Sequence, residues 1–496
     1  MSAKKKTTTQ QKQSGMGLYA VVGVIVAVAV AGVLVFNSGL LHRGMTAVSV
    51  NGTEYSAADM QYYYNMVSAQ EYNTSQTYAY YGMEYDFDYT VSPDKQFYDE
   101  SVGKTWADYF MEQAKEYVTG VTALYNKAQA EGYQLSADGQ AMLESIKNSV
   151  DTGWVGQYNS RDAFIRTNYG PYMTYDRFME LVEREVVASD FGNQYRGSLT
   201  YTDEEREAYY DLHQDELDSY TMTQFVLRAS VDAGQEMTDE EKSTALEQAK
   251  REKKALALEI EQRLKAGEDA QALAEEFSDE LYSSQVDALR TASSIQSSSY
   301  AQWAMDAQRA SGDVTVAEYD STTAYMYYVA QFGGRFRDES KTANVRHILV
   351  GIEGTDQPTQ EQYDAAKEKA QMLLDLWEST GGDEESFIAL VPGNTSDTAS
   401  AENGGLLEHV SATSDYVQTF TDWALAPGRK SGDTGLVKNT GSSVKGWHVM
   451  YYVGDDLPVW KLEADDALTA EDYLAWEDAA MEGYTAVEGS GISFVG

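Results

Sequence analysis

Two of the five histidines in this 496-residue chain stand in hydrophobic stretches that have the character of β-strands. His347 lies in Val345–Val350 (VRHILV), and His448 lies in Gly446–Met450 (GWHVM). A single histidine in a strand is most often a buried core residue. Two histidines on neighbouring strands could instead hydrogen-bond ring to ring and fix each other's tautomers. A carboxylate beside them would orient the pair.

The elements that must position these histidines belong to the second copy of an internal repeat. Trp303 is followed by Ser-Gly-Asp at 311–313, and Trp423 is followed by the same tripeptide at 431–433, 120 residues later. Each copy opens with a strand and continues with a long helix that begins in a capping-box pattern. Shorter helical pieces and a final hydrophobic strand follow. The repeat predicts two tandem α+β domains, near 216–338 and 339–456.

The order of motifs in the second copy carries a family resemblance. Between the two histidine strands stand 395–397 (TSD) and 403–407 (NGGLL). The copy resembles the parvulin family of peptidyl-prolyl isomerases, whose hallmarks are a strand reading R-H-I-L, a Gly-Gly-Asp-Leu-Gly loop and a terminal G-Y-H strand. Two positions depart from that pattern, because Leu406 stands at the loop's Asp and Glu408 at its last Gly.

The resemblance implies the residues of the site and their roles. Its polar group would consist of His347, Asp397 and His448, with Thr398 as an alternative to Asp397 because the length of this loop varies. Rotation about an X-Pro bond requires no covalent step, so the implied site needs neither a metal nor a cofactor. The resemblance also implies a pocket for the proline ring, lined by Leu407, Tyr416 and Phe420.

The first copy lacks the implied polar group. In a sequence alignment of the two copies, Phe225 replaces His347 and Ala324 falls where His448 would be. No Gly-Gly pair occurs between residues 278 and 300. We therefore expect 216–338 to be a degenerate, inactive parvulin-like domain.

The N-terminal region predicts a membrane anchor. Met16–Phe36 is uncharged and apolar over the length that spans a bilayer. Four lysines precede it, so the positive-inside rule predicts that 1–15 is a cytoplasmic tail and that the rest of the chain lies outside the cell membrane. Cleavage within Ala27–Ala31, which would release a soluble protein, is the alternative.

The region between the anchor and the repeat is rich in tyrosine and has mostly helical periodicity. With an anchor before it and parvulin-like copies after it, the chain resembles exported foldases of the PrsA and SurA kind. That resemblance implies a helical chaperone module at 46–215. It also implies that the C-terminal segment, 457–496, packs on this module.

Composition excludes several classes of function. The chain has no cysteine, which excludes disulfides, zinc–thiolate sites and cysteine nucleophiles. Its formal net charge is -42, and such a surface repels phosphate backbones, so we expect no nucleic-acid partner.

These observations predict a membrane-anchored, multidomain α+β foldase. Its substrates would be unfolded or nascent exported proteins that contain X-Pro bonds, and it would also act as a chaperone. One alternative is a holdase that uses the parvulin-like domains only to bind peptide. The other is a structural or adhesive surface protein in which these domains are spacers.

Overall fold

The computed structural model describes residues 39–80, 83, 85–231, 238–320, 325–355, 357–441 and 443–496. The predicted tail 1–15 and anchor 16–36 lie outside these residues, and so does Ala324. Within the described ranges, no helix combines the length and the apolarity needed to cross a membrane. The protein is a multidomain α+β structure with two compact units. Among the described residues, the first consists of 39–199 with Glu471–Gly496, and the second of Thr200–Ala470.

The first unit is mainly helical. Three long helices contribute most of its core, and a capping box between Thr105 and Asp108 starts one of them. In chain order the helices are α1 (Leu40–Gly44), α2 (Ala57–Tyr80), α3 (Trp106–Ala130), α4 (Ala137–Gly153), α5 (Arg161–Tyr169) and α6 (Tyr175–Ser198).

Short strands complete the first unit. The hairpin of β1 (Thr46–Val50) and β2 (Thr53–Ser56) turns at Asn51-Gly52, where both residues have positive φ, as the Asn-Gly pair predicts. A second hairpin consists of β3 (Phe97–Asp99) and β4 (Lys104–Thr105) and follows the 3₁₀ turn Pro93–Lys95.

The second unit begins with α7 (Asp203–Leu217) and contains two antiparallel four-stranded sheets. The first sheet has the order β6-β5-β8-β7. Its strands are β5 (Ser219–Ala229), β6 (Ser283–Thr291), β7 (Val314–Asp320) and β8 (Tyr325–Phe336). Its helices are α8 (Asp239–Lys265), α9 (Ala270–Glu276), α10 (Ala292–Gln296) and α11 (Ala301–Ala304).

The second sheet repeats this connectivity, with the order β10-β9-β12-β11. Its strands are β9 (Lys341–Gly351), β10 (Leu406–Val410), β11 (Thr434–Asn439) and β12 (Gly446–Pro458). The helices are α12 (Gln360–Thr380), α13 (Glu384–Leu390), α14 (Thr398–Ala401) and α15 (Gln418–Ala424). The predicted capping boxes of α8 and α12 are both present, at Thr238–Glu241 and Thr359–Gln362.

The two faces of the second sheet have separate cores. Ile348 and Val449 belong to the cluster under α12, whereas Val345 and Met450 cluster with α15. Because side chains alternate along a strand, the odd-numbered residues of β9 and the even-numbered residues of β12 face α15. His347 is one of these residues.

The chain ends in α16 (Val459–Met481), β13 (Ala486–Glu488) and the 3₁₀ turn Ser490–Phe494. In the second unit, Trp460 and Ala464 of α16 are buried against α7. In the first unit, Trp476 stacks on Tyr195 at 4.3 Å, and β13 adds an antiparallel strand to β1.

Candidate active site

The register of the second sheet brings the two histidines together. In the antiparallel pair of β9 and β12, His347 is opposite Met450 and His448 is opposite Leu349. The histidines therefore share one face of the sheet as diagonal neighbours. Their Nδ1 atoms are 3.0 Å apart, which is a hydrogen-bond distance, and both side chains are buried.

A carboxylate contacts the other nitrogen of His347. Oδ2 of Asp397 lies 2.9 Å from Nε2 of His347. The carboxylate is held in place because Asp397 is the N-cap of α14, where its Oδ1 accepts the backbone N–H of Ala399 at 3.1 Å. Thr398 is the first residue of α14 and lines the adjoining cavity. Of these two candidates, it is the side chain of Asp397 that contacts His347.

Ser400 is a member of this network that sequence reasoning missed. Its buried Oγ donates to Oδ2 of Asp397 at 2.6 Å and lies 3.1 Å from Nε2 of His347. The signal that could have identified it is its spacing from Asp397, since the third residue after an N-cap stands about one helical turn further on.

The Gly-Gly loop closes directly on the histidine strand. Gly404 and Gly405 have φ values of 70° and 72°, in the left-handed region that glycine tolerates. The carbonyl of Gly405 accepts the N–H of His347 at 2.8 Å. A Cβ on Gly405 would lie 2.3 Å from the carbonyl oxygen of His347, so only glycine fits there. Leu406, which departs from the family pattern, enters β10 opposite Arg346.

A cavity of about 500 Å³ opens beside the histidine pair. This volume is within the usual range for small-molecule pockets. Phe420 is buried at the cavity wall with its ring edge-on to His448 at 5.0 Å, and the more exposed Tyr416 packs on Phe420 at 4.9 Å. Leu407 does not line this cavity and instead packs in the core cluster that contains Phe420. The other apolar lining residues are Leu349, Ala399, Val417 and Val444.

The electrostatics of the site favour an ionised Asp397 beside a neutral His448. The hydrogen bond from His347, helped by those from Ser400 and the backbone of Ala399, holds the pKa of Asp397 well below its usual range, against the opposing effect of partial burial. Burial, together with the neighbouring His347, lowers the pKa of His448 to about 3. An ionised carboxylate can only accept, so Nε2–H of His347 donates to Asp397, and a single N–H links the two Nδ1 atoms of the histidine pair.

This arrangement is not that of a serine hydrolase. In a catalytic triad, the nucleophile and the carboxylate contact opposite nitrogens of the histidine. Here Ser400 and Asp397 share Nε2 of His347, while its Nδ1 faces His448. Across the described residues, no group of three His, Asp or Glu side chains has the spacing to hold a metal ion.

The two four-stranded sheets of the second unit can be aligned to compare the two copies of the repeat. Phe332 and Tyr452 each accept the N–H of the glycine in a Ser-Gly-Asp turn, at 2.8 Å and 2.9 Å. Phe332 pairs with Met222, and Tyr452 pairs with Val345. Aligning these two residue pairs defines the equivalent positions of β5 with β9 and of β8 with β12.

This register corrects the alignment made from the sequence. Gln224 corresponds to His347, and Tyr328 corresponds to His448. The predicted equivalence of Phe225 and His347 is therefore wrong by one residue. Because side chains alternate along a strand, Phe225 lies on the opposite face of the sheet from the position that corresponds to His347.

The equivalent of Phe420 in the first copy is Tyr300, which also lies 120 residues earlier. Its hydroxyl donates to Oε1 of Gln224 at 2.7 Å, and its ring centroid is 6.4 Å from that of Tyr328. Between α9 and β6 only six residues connect the elements, whereas α13 and β10 are connected by a segment that contains α14 and the Gly-Gly loop. The first copy therefore has no counterpart of the segment that supplies Asp397.

A family model agrees with the geometry of the second copy. Residues 328–453 match the family model described as the PPIC-type PPIASE domain, a range that contains all the predicted site residues. A comparison with curated proteins found no match. Among solved structures, the chain is similar to foldase protein PrsA from Streptococcus pneumoniae str. Canada MDR_19A, at 12% sequence identity over 47% of this chain and 77% of that chain. Its TM-score of 0.21 is too low to support an argument. The family match identifies residues 328–453 as a parvulin-type peptidyl-prolyl cis-trans isomerase domain.

Proposed function

We propose that this chain is a foldase whose residues 339–456 catalyse cis–trans isomerisation of X-Pro bonds in unfolded exported proteins. The observation that carries the proposal is the cavity itself. It joins an apolar wall around Phe420 to the hydrogen-bonded series of His448, His347 and Asp397. Uncatalysed isomerisation takes tens to hundreds of seconds, which is slow enough to limit folding.

The proposed mechanism requires an apolar pocket that binds the proline ring and polar groups beside it, but no covalent intermediate. Rotation about the peptide bond breaks amide resonance, with a barrier of about 18–20 kcal/mol. The planar amide has a larger dipole than the twisted one, so an apolar wall disfavours the ground state relative to the transition state. The two imidazoles add fixed dipoles beside this wall, and Asp397 holds Nε2–H of His347 in one direction.

The departures in the loop are the best argument for the holdase alternative. Several contacts nevertheless support catalysis. Gly405 closes on the backbone of His347, Leu406 joins the ladder of β10, and Glu408 is exposed. The substitutions therefore leave the backbone support of His347 in place.

We propose roles for the other regions from their chemistry. Residues 216–338 would be a degenerate parvulin-like domain, because glutamine and tyrosine occupy its histidine positions. Residues 46–215, together with the packed segment 457–496, would form the chaperone module. The apolar segment 16–36 would anchor the protein in the cell membrane, with residues 1–15 in the cytoplasm and the folded units outside.

The matched positions of the two copies provide the test. Phe420→Leu removes the aromatic wall in the second copy, and Tyr300→Leu makes the equivalent change in the first. The rate of cis–trans exchange would be measured by NMR on a short peptide with one X-Pro bond, using the full chain. We expect Phe420→Leu to lower kcat/KM at least tenfold, and Tyr300→Leu to leave it unchanged.

Two outcomes would contradict the proposal. If the folded wild-type chain does not accelerate exchange, the holdase alternative is favoured. If Tyr300→Leu lowers the rate as much as Phe420→Leu does, catalysis does not belong to the second copy alone. Thermal unfolding of each variant separates loss of activity from loss of fold.

A further inference from the structure

The hairpin of β3 and β4 and the loop before it present an exposed apolar surface on the first unit. We define the hairpin surface as Tyr89, Val91, Phe97, Tyr98 and Val102. Phe97 is 54% exposed and Val102 is 74% exposed, although both are large apolar side chains. Exposed apolar side chains grouped in one hairpin and the loop before it mark an interaction site more often than isolated ones do.

Aromatic packing holds the hairpin surface in place from below. The ring of Tyr98 stacks on Tyr109 at 4.1 Å and meets the edge of Trp106 at 5.0 Å. Trp106 in turn packs on Phe87 at 5.1 Å and belongs to a buried aromatic cluster. The surface is therefore supported by the core, so binding a partner need not first order the side chain of Tyr98.

A hydrogen-bond donor beneath the surface lacks an acceptor. Trp106 is only 6% exposed, and its indole N–H has no hydrogen-bond partner among the described residues. Buried donors are nearly always satisfied in folded proteins. In the same hairpin, β3 pairs only with β4 in the described chain, which leaves one of its edges open to an added strand.

The charge around the surface indicates the kind of partner. Between residues 85 and 112 the chain has seven carboxylates and two lysines. One of these lysines, Lys104, shows how the rings accommodate a cation. Its Nζ lies 5.3 Å from the ring centre of Tyr98 and 5.5 Å from that of Tyr109, and it pairs with Glu112.

We propose that the hairpin surface binds unfolded polypeptide segments in which lysine or arginine alternates with large apolar side chains. The inference rests on the proposed chaperone role and names the class of client. Apolar side chains would contact Phe97 and Val102, while nearby carboxylates such as Glu100 would pair with the cations. The same carboxylates repel nucleic acid and anionic lipid.

Binding to a defined peptide tests this inference. The probe is a fluorescein-labelled peptide with three repeats of Gly-Lys-Leu-Ser, and the comparison peptide has Glu in place of Lys. Fluorescence anisotropy with the full chain would give both dissociation constants. We expect the lysine peptide to bind at least tenfold more tightly, with an affinity that falls as salt is added.

Paired substitutions locate the binding site. Phe97→Ser with Val102→Ser removes exposed apolar area, and we expect it to weaken binding of the lysine peptide about tenfold, or about 1.4 kcal/mol. The control is Met142→Ser with Val155→Ser, because these residues are 52% and 63% exposed in the same unit. The control should bind as the wild type does.

A charge variant keeps the test valid if the apolar variant fails to fold. Asp86→Asn with Glu100→Gln changes two exposed carboxylates, and it should weaken binding of the lysine peptide at low salt. Equal binding of the lysine and glutamate peptides would overturn the inference. Unchanged affinity in a folded Phe97→Ser, Val102→Ser variant would do the same.

The two proposals can fail independently. The hairpin variant should isomerise a short X-Pro peptide at the wild-type rate, because its substitutions lie outside the parvulin-type domain. Conversely, Phe420→Leu should lose isomerase activity and still bind the lysine peptide. Loss of peptide binding in Phe420→Leu, with the hairpin variant unaffected, would place the client site at the active site and overturn the inference.

Discussion

The substitution Asp397→Asn tests whether the carboxylate controls the tautomers of the histidine pair. The amide has nearly the same shape as the carboxylate but carries no charge. If its NH₂ group turns toward His347, Nε2 must accept a hydrogen bond instead of donating one. Nδ1 of His347 then carries the ring proton and donates to Nδ1 of His448.

The expected magnitude follows from the contacts of Asp397. Its Oδ2 accepts hydrogen bonds from His347 at 2.9 Å and from Ser400 at 2.6 Å. Hydrogen bonds to a charged group contribute about 1.5–3 kcal/mol, and neutral ones roughly half of that. Removing the charge of Asp397 should therefore weaken these hydrogen bonds by about 1.5 kcal/mol in total. If this stabilisation is present only in the transition state with the twisted amide, kcat/KM should decrease about tenfold.

The assay combines rate, tautomer and stability. NMR exchange on an X-Pro peptide gives kcat/KM, and the ¹⁵N shifts of the imidazoles report which nitrogen carries the proton. The control is Glu402→Gln, which removes one charge from an exposed residue just after α14. A folded Asp397→Asn variant with unchanged kcat/KM and unchanged imidazole shifts would refute the reasoning.

Three further predictions concern the loop, the helical unit and the topology. Gly405→Ala should destabilise the chain by about 2 kcal/mol more than Gly393→Ala, as measured by urea unfolding. Both positions have positive φ, but only at Gly405 would the added Cβ lie 2.3 Å from a backbone atom. Equal effects of the two substitutions would contradict the predicted clash. Burial raises the pKa of Glu185 to about 7. The folded state therefore binds the proton of Glu185 more tightly than the unfolded state does. The contribution of this proton to the free energy of unfolding is fully present below about pH 4.5 and is lost as the pH rises through 7. Glu185→Gln should remove this dependence and stabilise the chain at pH 8 by up to about 3 kcal/mol, whereas an unchanged unfolding profile would contradict it. Protease added outside intact cells should digest 44–496, and full protection of that region would contradict the proposed topology.

Much of the fold could be predicted from local sequence. The capping boxes at Thr238 and Thr359 and the Asn51-Gly52 turn depend on residues a few positions apart. Their geometry is therefore determined by neighbours in the chain. The repeat also predicted two α+β segments, because equal spacing of strands and helices is itself a property of the sequence.

The parvulin-type site was accessible from the sequence for a related reason. His347 and His448 stand in nearly continuous apolar runs, and such runs predict strands that are buried on both faces. The Gly-Gly pair marks a close approach of two backbone segments, although only the structure shows that its partner is the carbonyl of His347.

Tertiary structure alone decided the pairing of distant strands. Gln224 rather than Phe225 is the equivalent of His347, because β5 and β8 pair in a register that no local pattern specifies. A shift of one residue moves a side chain to the other face of the sheet, so this register decides which side chains stand at the position of the site. The contact between Ser400 and Asp397, and the absence of Leu407 from the cavity lining, depend on the path of the loop between α13 and β10. That path is likewise a property of the tertiary structure.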